Sequence, residues 1–353
     1  MKISDYYTYA PKSKIKAGDA NPNGKYQFYT SSPDESRRCD EYLYDCKATV
    51  MGTGGSATLH YYDGKFSTST DCLTLIPNEK IRAKYLYYFF LANMDVLEAG
   101  FKGAGLKHTS KGYIDNIEIT KIPSLPSQDK IVNLFDELAL RIEKERRQIE
   151  KLDELVKARF VEMFKGKYDS FKVDEKLKTT SGGTPKSSVS EYYDGGDIPW
   201  LTSGEVNYGG ITKPSNYITE KGLNNSSAKW VPENSIVIAM YGATAGKVGI
   251  VRYKTTTNQA VCSVLPNDNF NQEFLRYAFQ DISEELTSKA IGGGQPNISQ
   301  TIIKNSYIVD APIEEQERFA SFVKQVDKSK FAVQKSLEKT QLLFDSLMQE
   351  YFG

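Results

Sequence analysis

The feature that most constrains this 353-residue chain is a long amphipathic segment that occurs twice. The first copy lies at residues 123–166 and the second at residues 311–353. An offset of 188 residues places Gln128 on Gln316 and aligns the two copies without a gap. Self-similarity of this kind indicates an internal duplication. We therefore expect the chain to be built as globule, helix, globule, helix, with the same unit used twice.

Both copies repeat apolar residues with the seven-residue spacing of a coiled coil. The residues between them are mostly charged or polar, so each copy predicts a helix with one narrow apolar stripe to bury. A helix of about 38 residues is about 57 Å long, which suits a spacer. The apolar positions are Ile131, Phe135, Leu138, Ile142, Ile149, Leu152, Val156 and Met163 in the first copy and Phe319, Val323, Val326, Val333, Leu337, Phe344 and Leu347 in the second.

Composition excludes several classes of protein. The chain is 39% hydrophobic, which is enough for globular cores. No run of about 18 apolar residues predicts a membrane span, and the N-terminal residues lack the apolar core of a secretory signal. We therefore expect a cytoplasmic protein that does not act at a membrane.

Cysteine and histidine usage argues against metal and histidine chemistry. Only two histidines are present, so neither a metal site nor a histidine general base is expected. The cysteines show no CxxC spacing and are predicted to be free thiols; they are Cys39, Cys46, Cys72 and Cys262.

The two regions outside the helical segments are predicted to be mixed α/β globules. In the first, short apolar or β-branched runs at 49–53, 72–76 and 117–120 alternate with turn clusters, and one amphipathic helix fits residues 84–99. The second region repeats this plan with different residues, placing for example Ser299 on Ser110 at an offset of 189.

Two short motifs resemble nucleotide or cofactor sites without meeting their requirements. A phosphate loop needs four residues between its glycines and Ser or Thr after its lysine, whereas residues 242–247 have three and are followed by Val248. The segments at 21–24 and 197–200 resemble the adenine-binding tetrapeptide of methyltransferases that methylate amino groups. Each segment, however, lacks the two adjacent prolines, and no glycine-rich turn for a cofactor accompanies it. We therefore predict a non-catalytic chain without a cofactor of its own.

The loops of both globules are rich in short polar side chains that both donate and accept hydrogen bonds. Such groups read base edges, because Asn and Gln pair with adenine and Ser or Thr adapts to either partner. The plainer interpretation is that turns use Gly, Ser, Thr and Asn in any case. The candidate DNA-binding residues are Tyr29, Thr30, Ser31, Arg37, Arg38, Thr53, Ser56, Lys107, His108, Thr202, Ser203, Tyr241, Thr244, Lys247, Asn258, Gln259, Gln295 and Asn297.

The order of these parts resembles the specificity subunit of type I restriction-modification systems. The resemblance rests on the duplication and on the close of the second globule, where GGGQPNIS precedes a strand and PIEEQERFASFV opens the heptad helix. It implies an α/β (α+β) fold with two target recognition domains, two long antiparallel coiled-coil helices and a pseudo-two-fold internal repeat. The implied segments are 1–121 and 167–308 for the recognition domains, 122–166 for the central helix and 309–353 for the C-terminal helix.

The resemblance also implies a function and partners. Each globule would read one half of a bipartite, asymmetric site in double-stranded DNA, and the helices would set the spacing between the halves. Two methyltransferase subunits would dock on the helices and bind S-adenosylmethionine, and restriction subunits with endonuclease and translocase activity would cleave. The net charge is zero, so other subunits should supply much of the phosphate contact.

Two other interpretations remain open from the residues alone. The chain could be a scaffold whose globules bind protein or glycan and whose helices oligomerise. It could also be the recognition subunit of a split type II system with a different enzymatic partner. A neighbouring reading frame with methyltransferase motifs would favour the DNA-reading function over the scaffold.

The heptads also predict a register for the helix pair. In an antiparallel pair the numbers of opposed residues add to a constant, and 468, 475 and 482 keep both apolar stripes inward. Each stripe is interrupted by a charge, Glu145 in the first helix and Lys330 in the second. A constant of 475 lets these two residues pair, whereas the alternatives face Glu145 with Val323 or Leu337, which would strand a charge. We therefore predict a Glu145–Lys330 contact that locks the register.

Overall fold

The computed structural model describes residues 1–290 and 297–353, which form two compact units. Unit 1 contains residues 1–147 and 334–353, and unit 2 contains residues 148–333. Two 40-residue helices, α4 (Leu125–Phe164) and α10 (Ile313–Phe352), contribute to both units. None of the helices within the described ranges is both long enough and apolar enough to cross a membrane.

Unit 1 is a six-stranded sheet covered by short helices. The strand order is β1-β6-β4-β5-β2-β3, and all neighbours are antiparallel except β2 and β5. The elements are β1 (Tyr7–Tyr9), β2 (Tyr26–Tyr29), β3 (Arg38–Cys39), β4 (Tyr44–Gly52), β5 (Leu59–Thr68), β6 (Cys72–Pro77), α1 (Ala83–Ala92), α2 (Met94–Ala99) and α3 (Lys111–Asp115), with one-turn 3-10 helices at Ile3–Tyr6 and Ala17–Asp19.

Unit 2 divides its strands between a five-stranded sheet, β10-β14-β13-β16-β8, a four-stranded sheet, β11-β9-β15-β12, and the pair β17-β7. Its elements are β7 (Ser170–Lys172), α5 (Val173–Lys176), β8 (Thr179–Ser181), β9 (Ile198–Leu201), β10 (Gly210–Ile211), β11 (Tyr217–Ile218), α6 (Glu220–Asn224), β12 (Trp230–Val231), β13 (Ile236–Ala239), β14 (Val248–Val251), β15 (Thr255–Thr257), β16 (Val261–Val264), α7 (Gln272–Asp281), α8 (Ser283–Ser288), α9 (Gln300–Lys304) and β17 (Tyr307–Val309), with 3-10 helices at Ser190–Tyr192, Ser203–Glu205 and Gly242–Thr244.

The duplication predicted from the sequence is present in the fold. Helices α7, α8 and α9 begin and end 189 residues after α1, α2 and α3. The hydroxyls of Ser110 and Ser299 cap α3 and α9 by accepting from the backbone N–H three residues on, at 3.2 Å in both cases. The parallel pair is also repeated, since β2 lies beside β5 in unit 1 and β9 lies beside β15 in unit 2.

A buried glutamine on each long helix shows the repeat at the level of single hydrogen bonds. Gln128 Oε1 accepts from the backbone N–H of Arg82, the residue that precedes α1, at 2.7 Å. Gln316 Oε1 accepts from Asn271, which precedes α7, at 2.9 Å. Both amide groups also donate to the carbonyl five residues earlier on their own chain segment. Each glutamine therefore fixes its long helix against the start of a short helix, α1 in unit 1 and α7 in unit 2.

Two local predictions are corrected by the structure. The single helix predicted over residues 84–99 is broken at Asn93, whose side-chain amide donates to the carbonyl of Phe89 at 2.8 Å and ends α1. The run at 117–120 forms only an isolated bridge between Glu118 and Lys2 rather than a strand. All four cysteines are free thiols, as predicted.

The apolar stripes of α4 and α10 are confirmed, because every predicted stripe residue is buried or half-buried. In unit 1, Phe135 of α4 packs edge-on against Phe344 of α10, with ring centroids 5.3 Å apart. In unit 2, Phe160 of α4 packs edge-on against Phe319 of α10 at 5.4 Å. Within each unit, higher-numbered positions of α10 meet lower-numbered positions of α4, so the two segments are antiparallel.

The predicted contact between Glu145 and Lys330 is wrong. In unit 1, Glu145 accepts from Ser336 Oγ at 2.7 Å, and the two residue numbers add to 481. In unit 2, Lys330 Nζ donates to Asp153 at 2.6 Å, and those numbers add to 483. Both contacts fit the rejected register of 482. That register was excluded because it faces Glu145 with Leu337, but Glu145 Oε1 accepts hydrogen bonds from the neighbouring Ser336 and from Arg141. The other carboxylate oxygen is buried and has no hydrogen-bond partner among the described residues.

Candidate nucleic-acid interface

In unit 1, Ser31 joins three loop segments at the end of β2. Its hydroxyl donates to the carbonyl of Asp71 at 2.6 Å and accepts from the backbone N–H of Thr53 at 3.1 Å and of Gly54 at 3.4 Å. The hydroxyl of Thr53 donates to the same Asp71 carbonyl at 3.0 Å. The loop after β2 and the loop between β4 and β5 are therefore held together by short polar groups.

The segment that precedes α3 completes this surface. The N–H of Gly55 donates to the carbonyl of Lys107 at 2.9 Å, and the N–H of Thr109 donates to the carbonyl of Thr53 at 3.0 Å. The side chains of Lys107 and His108 are exposed, as is that of Ser56. The structure thus brings together five of the predicted residues, and we call them loop surface 1: Ser31, Thr53, Ser56, Lys107 and His108.

Two predicted residues of unit 1 are buried and leave no surface for a ligand. Thr30 is 3% exposed, and Tyr29 is 4% exposed and packs on Phe66, with ring centroids 6.2 Å apart. Burial, with the charge of Glu35 second, raises the pKa of Tyr29. Tyr29 is the last residue of β2 and Thr30 follows it, and the protein covers both side chains, a detail that the polar composition of the loop did not reveal.

Arg37 and Arg38 lie at the end of the loop that joins β2 to β3 (residues 30–37, the β2–β3 loop). Arg38 Nη1 donates to Gln27 Oε1 at 2.6 Å and to the carbonyl of Glu35 at 3.0 Å. Arg37 contacts Asp34 at 3.4 Å, and its side chain is 36% exposed. Both guanidinium groups therefore order the loop, and that of Arg37 also reaches solvent.

Unit 2 fastens its loops at equivalent places with different side chains. The hydroxyl of Thr244 donates to the carbonyl of Ser203 at 2.8 Å, which joins the loop after β9 to the loop between β13 and β14. The N–H of Asn258 donates to the carbonyl of Leu201 at 2.9 Å. The N–H of Ile298 donates to the carbonyl of Met240 at the same distance. These contacts hold the loops of the second set of predicted residues, loop surface 2: Thr202, Ser203, Tyr241, Thr244, Lys247, Asn258, Gln259 and Asn297.

The members of loop surface 2 differ in how far their side chains are engaged. Gln259 is exposed and accepts a hydrogen bond from Thr184. Tyr241 is 38% exposed, and Asn297 is exposed. Lys247 is half-buried. The predicted residue Gln295 lies outside the described part of the chain.

Glu205 organises loop surface 2 and was missed from the sequence. One of its carboxylate oxygens accepts from both the N–H and the hydroxyl of Thr202, at 2.8 and 2.9 Å. The same carboxylate accepts from the side chain of Asn216 at 2.9 Å and from the N–H of Ser215 at 3.2 Å. Glu205 thus accepts four hydrogen bonds and holds two loops together.

The exposed aromatic residues of unit 2 were not among the residues predicted from the sequence. Trp230 is 41% exposed, and Lys254 Nζ lies 4.4 Å from the centre of its ring. Tyr208 and Tyr217 are 53% and 42% exposed. A search for aromatic residues next to lysines in short strands would have found Trp230, because aromatic faces paired with cations are common in nucleic-acid interfaces.

Within residues 1–290 and 297–353, no three His, Cys, Asp or Glu side chains are grouped so that they could hold a metal ion. Burial raises the pKa of Cys72 to about 11 and that of Cys262 to about 12. Both thiols are therefore protonated at neutral pH and are poor nucleophiles.

Comparison with known sequences identifies the family. The sequence model of the type I restriction modification DNA specificity domain matches residues 1–154 and 165–342. The chain is 24% identical over 278 residues to the type I restriction enzyme EcoR124I/EcoR124II specificity subunit of Escherichia coli, an alignment that covers 74% of this chain and 67% of that protein. It is 30% identical over 165 residues to the MjaIX specificity subunit of Methanocaldococcus jannaschii, covering 45% of this chain and 38% of that one.

Solved structures show the same fold. The S subunit of a type I restriction-modification system from M. genitalium aligns with a TM-score of 0.65 at 16% identity, covering all of this chain and 95% of that one. A chain from a second type I system aligns with a TM-score of 0.58 at 16% identity, covering all of this chain and 96% of that one. Because the family's sequence model matches parts of both units and most of the chain, this protein belongs to the type I restriction-modification DNA specificity family.

Proposed function

We propose that this chain is the DNA-reading specificity subunit of a type I restriction-modification complex and that each unit reads one half of a bipartite, asymmetric site. The observation that carries this proposal is a framework used twice with different side chains on its loops. The N–H groups of Thr109 and Ile298, 189 residues apart, donate to the carbonyls of Thr53 and Met240, so these two different residues hold equivalent places. In the same way, the N–H groups of Ser69 and Asn258 donate to the carbonyls of Tyr29 and Leu201. Similar frameworks present loops in similar places, and different polar groups on them favour different base edges.

The two long helices would set the distance between the two half-sites. Each contains 40 residues and is about 60 Å long. A continuous helix transmits a fixed rise per residue, so an insertion within it would change the spacing between the halves without changing their sequences.

Partner subunits would supply the chemistry and much of the affinity. A chain with zero net charge gains little from phosphate contacts alone. Methyltransferase subunits, which would bind S-adenosylmethionine, would dock on the helices, and restriction subunits would join them in the cytoplasm. Exposed apolar side chains on α4 and α10 suit such docking; they are Leu140, Leu342 and Leu343 in unit 1 and Leu155, Val161 and Phe331 in unit 2.

Methylome sequencing tests this function. The chain would be expressed with its methyltransferase subunit in a host that lacks other modification systems, and the control host would carry the methyltransferase subunit alone. We expect N6-methyladenine in one bipartite motif with a fixed spacer only when the chain is present. Methylation that is absent, or that is the same in the control, would contradict the proposal.

A further inference from the structure

The strongest unassigned feature of the molecule is an exposed leucine at the tip of a basic hairpin in unit 1. Residues 102–108 form this hairpin, in which the backbones of Lys102 and His108 exchange two hydrogen bonds of 3.0 Å. Leu106, near the tip, is 69% exposed. A single exposed leucine is ordinary in a soluble protein. What distinguishes Leu106 is the structure that presents it.

The hairpin is tied at its base to the loop between β4 and β5. The N–H of Gly55 donates to the carbonyl of Lys107 at 2.9 Å, and the N–H of Thr109 donates to the carbonyl of Thr53 at 3.0 Å. Both contacts join the hairpin to the loop that carries Thr53 of loop surface 1. The tip therefore has a fixed place beside that surface.

The turn of the hairpin is tight and its tip is narrow. Gly103 has a φ of +149°, a conformation that residues with a side chain disfavour. A Cβ at this position would also lie 3.0 Å from the carbonyl oxygen of Leu106. Ala104 and Gly105, which follow, are small and exposed. Leu106 is therefore a large side chain on a tip whose other residues leave room for a ligand to come close.

Cations flank the tip on both sides. The side chains of Lys102 and Lys107 are exposed, and the sequence has no acidic residue between Glu98 and Asp115. The carboxylate of Glu98 accepts from the N–H of Ala57 at 2.6 Å. That of Asp115 accepts from the hydroxyls of two tyrosines, at 2.7 and 2.8 Å. The charge at the tip therefore suits a polyanion such as DNA.

We propose that Leu106 is a wedge that unit 1 inserts between two neighbouring base pairs of its half-site. Proteins that kink DNA insert apolar side chains, leucine among them, between base pairs, while lysines beside them contact phosphates. The inference rests on the proposed function, because the wedge acts on the DNA that unit 1 reads. It adds to that function a specificity-determining residue that forms no hydrogen bond with a base.

A wedge selects sequence through the ease of unstacking. Pyrimidine–purine steps such as TA and CA are flexible and easily unstacked, whereas other steps resist. Because the base of the hairpin is tied to the β4–β5 loop, Leu106 enters at one defined step. We therefore expect unit 1 to prefer a pyrimidine–purine step at that position.

The surroundings of Leu106 favour DNA over a protein pocket as its ligand. Surfaces that bind other proteins present contiguous apolar patches, whereas the neighbours of Leu106 in the chain are Gly105 and Lys107. The hairpin also contributes Lys107 and His108 to loop surface 1. DNA bound on that surface would lie beside the tip.

The sequence of unit 2 provides an internal control. The residue 189 positions after Leu106 is Gln295. A glutamine reads the edge of a base through hydrogen bonds and lacks the apolar end of a wedge. Unstacking should therefore be confined to the half-site that unit 1 reads.

The experiment measures unstacking with a fluorescent base. The probe is a duplex carrying the site that the chain and its methyltransferase subunit select from a randomised library, with 2-aminopurine at one position at a time. This base becomes brighter when it loses its stacking partners. We expect the fluorescence to rise on binding at one step, in one half only, and Leu106→Ala to abolish that rise. A rise at the methylated adenines comes from base flipping and should persist in the variant.

Two further variants separate the wedge from charge and from general surface effects. Leu43→Ala removes a leucine that is 46% exposed at the other end of β4 and should leave the fluorescence unchanged. Lys107→Gln should reduce the slope of log affinity against log salt by about 1. Leu106→Ala should leave that slope unchanged and weaken discrimination at its step by about tenfold, near the lower end of the cost of one altered base pair.

Three outcomes would contradict the wedge, and they are distinguishable. Equal fluorescence with wild type and Leu106→Ala at every position of a bound duplex would overturn it and leave the proposed function intact. A variant that keeps the fluorescence rise but binds the methyltransferase subunit more weakly would identify Leu106 as a protein contact. If no site is selected at all, the proposed function fails and the wedge fails with it.

Discussion

Unit 1 and unit 2 share their framework and differ in the contacts that fasten their loops. Both contain an equivalent parallel strand pair, β2 with β5 and β9 with β15, and both use a buried glutamine to anchor the long helix. In unit 1 the β2–β3 loop is fastened by His60 and Glu35, whereas in unit 2 the loop after β9 is fastened by Glu205. Backbone hydrogen bonds are therefore duplicated even in the loops, as between Thr109 and Thr53 and between Ile298 and Met240, whereas the side-chain contacts of the loops are not.

The largest expected effect comes from the aromatic residues where the long helices meet each unit's core. Phe135 in unit 1 and Phe319 in unit 2 are fully buried. Replacing either with alanine should lower the free energy of unfolding by about 3–5 kcal/mol, because a large cavity remains. Urea denaturation, with the unfolding of each unit monitored by hydrogen exchange, would measure this loss of stability.

The matched control for this prediction is Phe331→Ala, on the same helix as Phe319 but 67% exposed. It should change the stability by no more than about 0.5 kcal/mol. A comparable loss in the control, or a negligible loss in either buried variant, would show that the two cores are not built as described.

A smaller effect is expected from the two buried glutamines. Gln128→Ala and Gln316→Ala each leave a backbone N–H and at least one carbonyl without a partner. The cost should be about 1–3 kcal/mol in each unit, and Gln325→Ala, at an exposed position on α10, should cost little. Equal losses of stability in Gln128→Ala and Gln316→Ala would support the same anchoring role for the two glutamines. A loss in only one of the two variants would show that the two units anchor their long helices differently.

The smallest effect concerns the polar contacts between α4 and α10. Glu145 is 12% exposed at its side chain, whereas the Lys330–Asp153 pair is 26% and 50% exposed. Glu145→Ala should cost about 0.5–1.5 kcal/mol, and Asp153→Ala about 0.2–1 kcal/mol. Thermal unfolding of both variants would rank them, and the reverse order would contradict this account.

The contact of Glu145 also predicts a pH dependence. Burial alone would raise the pKa of Glu145, but hydrogen bonds from Ser336 and Arg141 outweigh it and lower the pKa. A lowered folded-state pKa means that the stabilisation is present above the unfolded pKa of about 4.3 and is lost as pH falls through the folded value. The stability difference between wild type and Glu145→Gln should therefore shrink below about pH 4. A difference that grows in acid would show that the hydrogen bonds are not made.

The sequence predicted the fold far better than the loop contacts, and the reason is physical. Apolar spacing is a local signal, so the helix stripes could be predicted correctly. The alignment of Ser299 with Ser110 also matches two helix caps at equivalent places. The contact of His60 with Glu35 joins residues 25 positions apart across a loop whose path no pattern specifies. The predicted register of the helix pair was wrong for a similar reason. The length and flexibility of the Glu145 side chain decide which residue of the facing helix it contacts, and the heptad pattern does not specify this.

The central claim is that each unit reads its own half of the site. It is tested most directly by replacing residues 1–121 with the corresponding segment of another family member and sequencing the methylome of a host that carries the hybrid with its methyltransferase subunit. This account predicts that one half of the bipartite motif changes, while the other half and the spacer length stay the same. A motif that changes in both halves, or in neither, would contradict it.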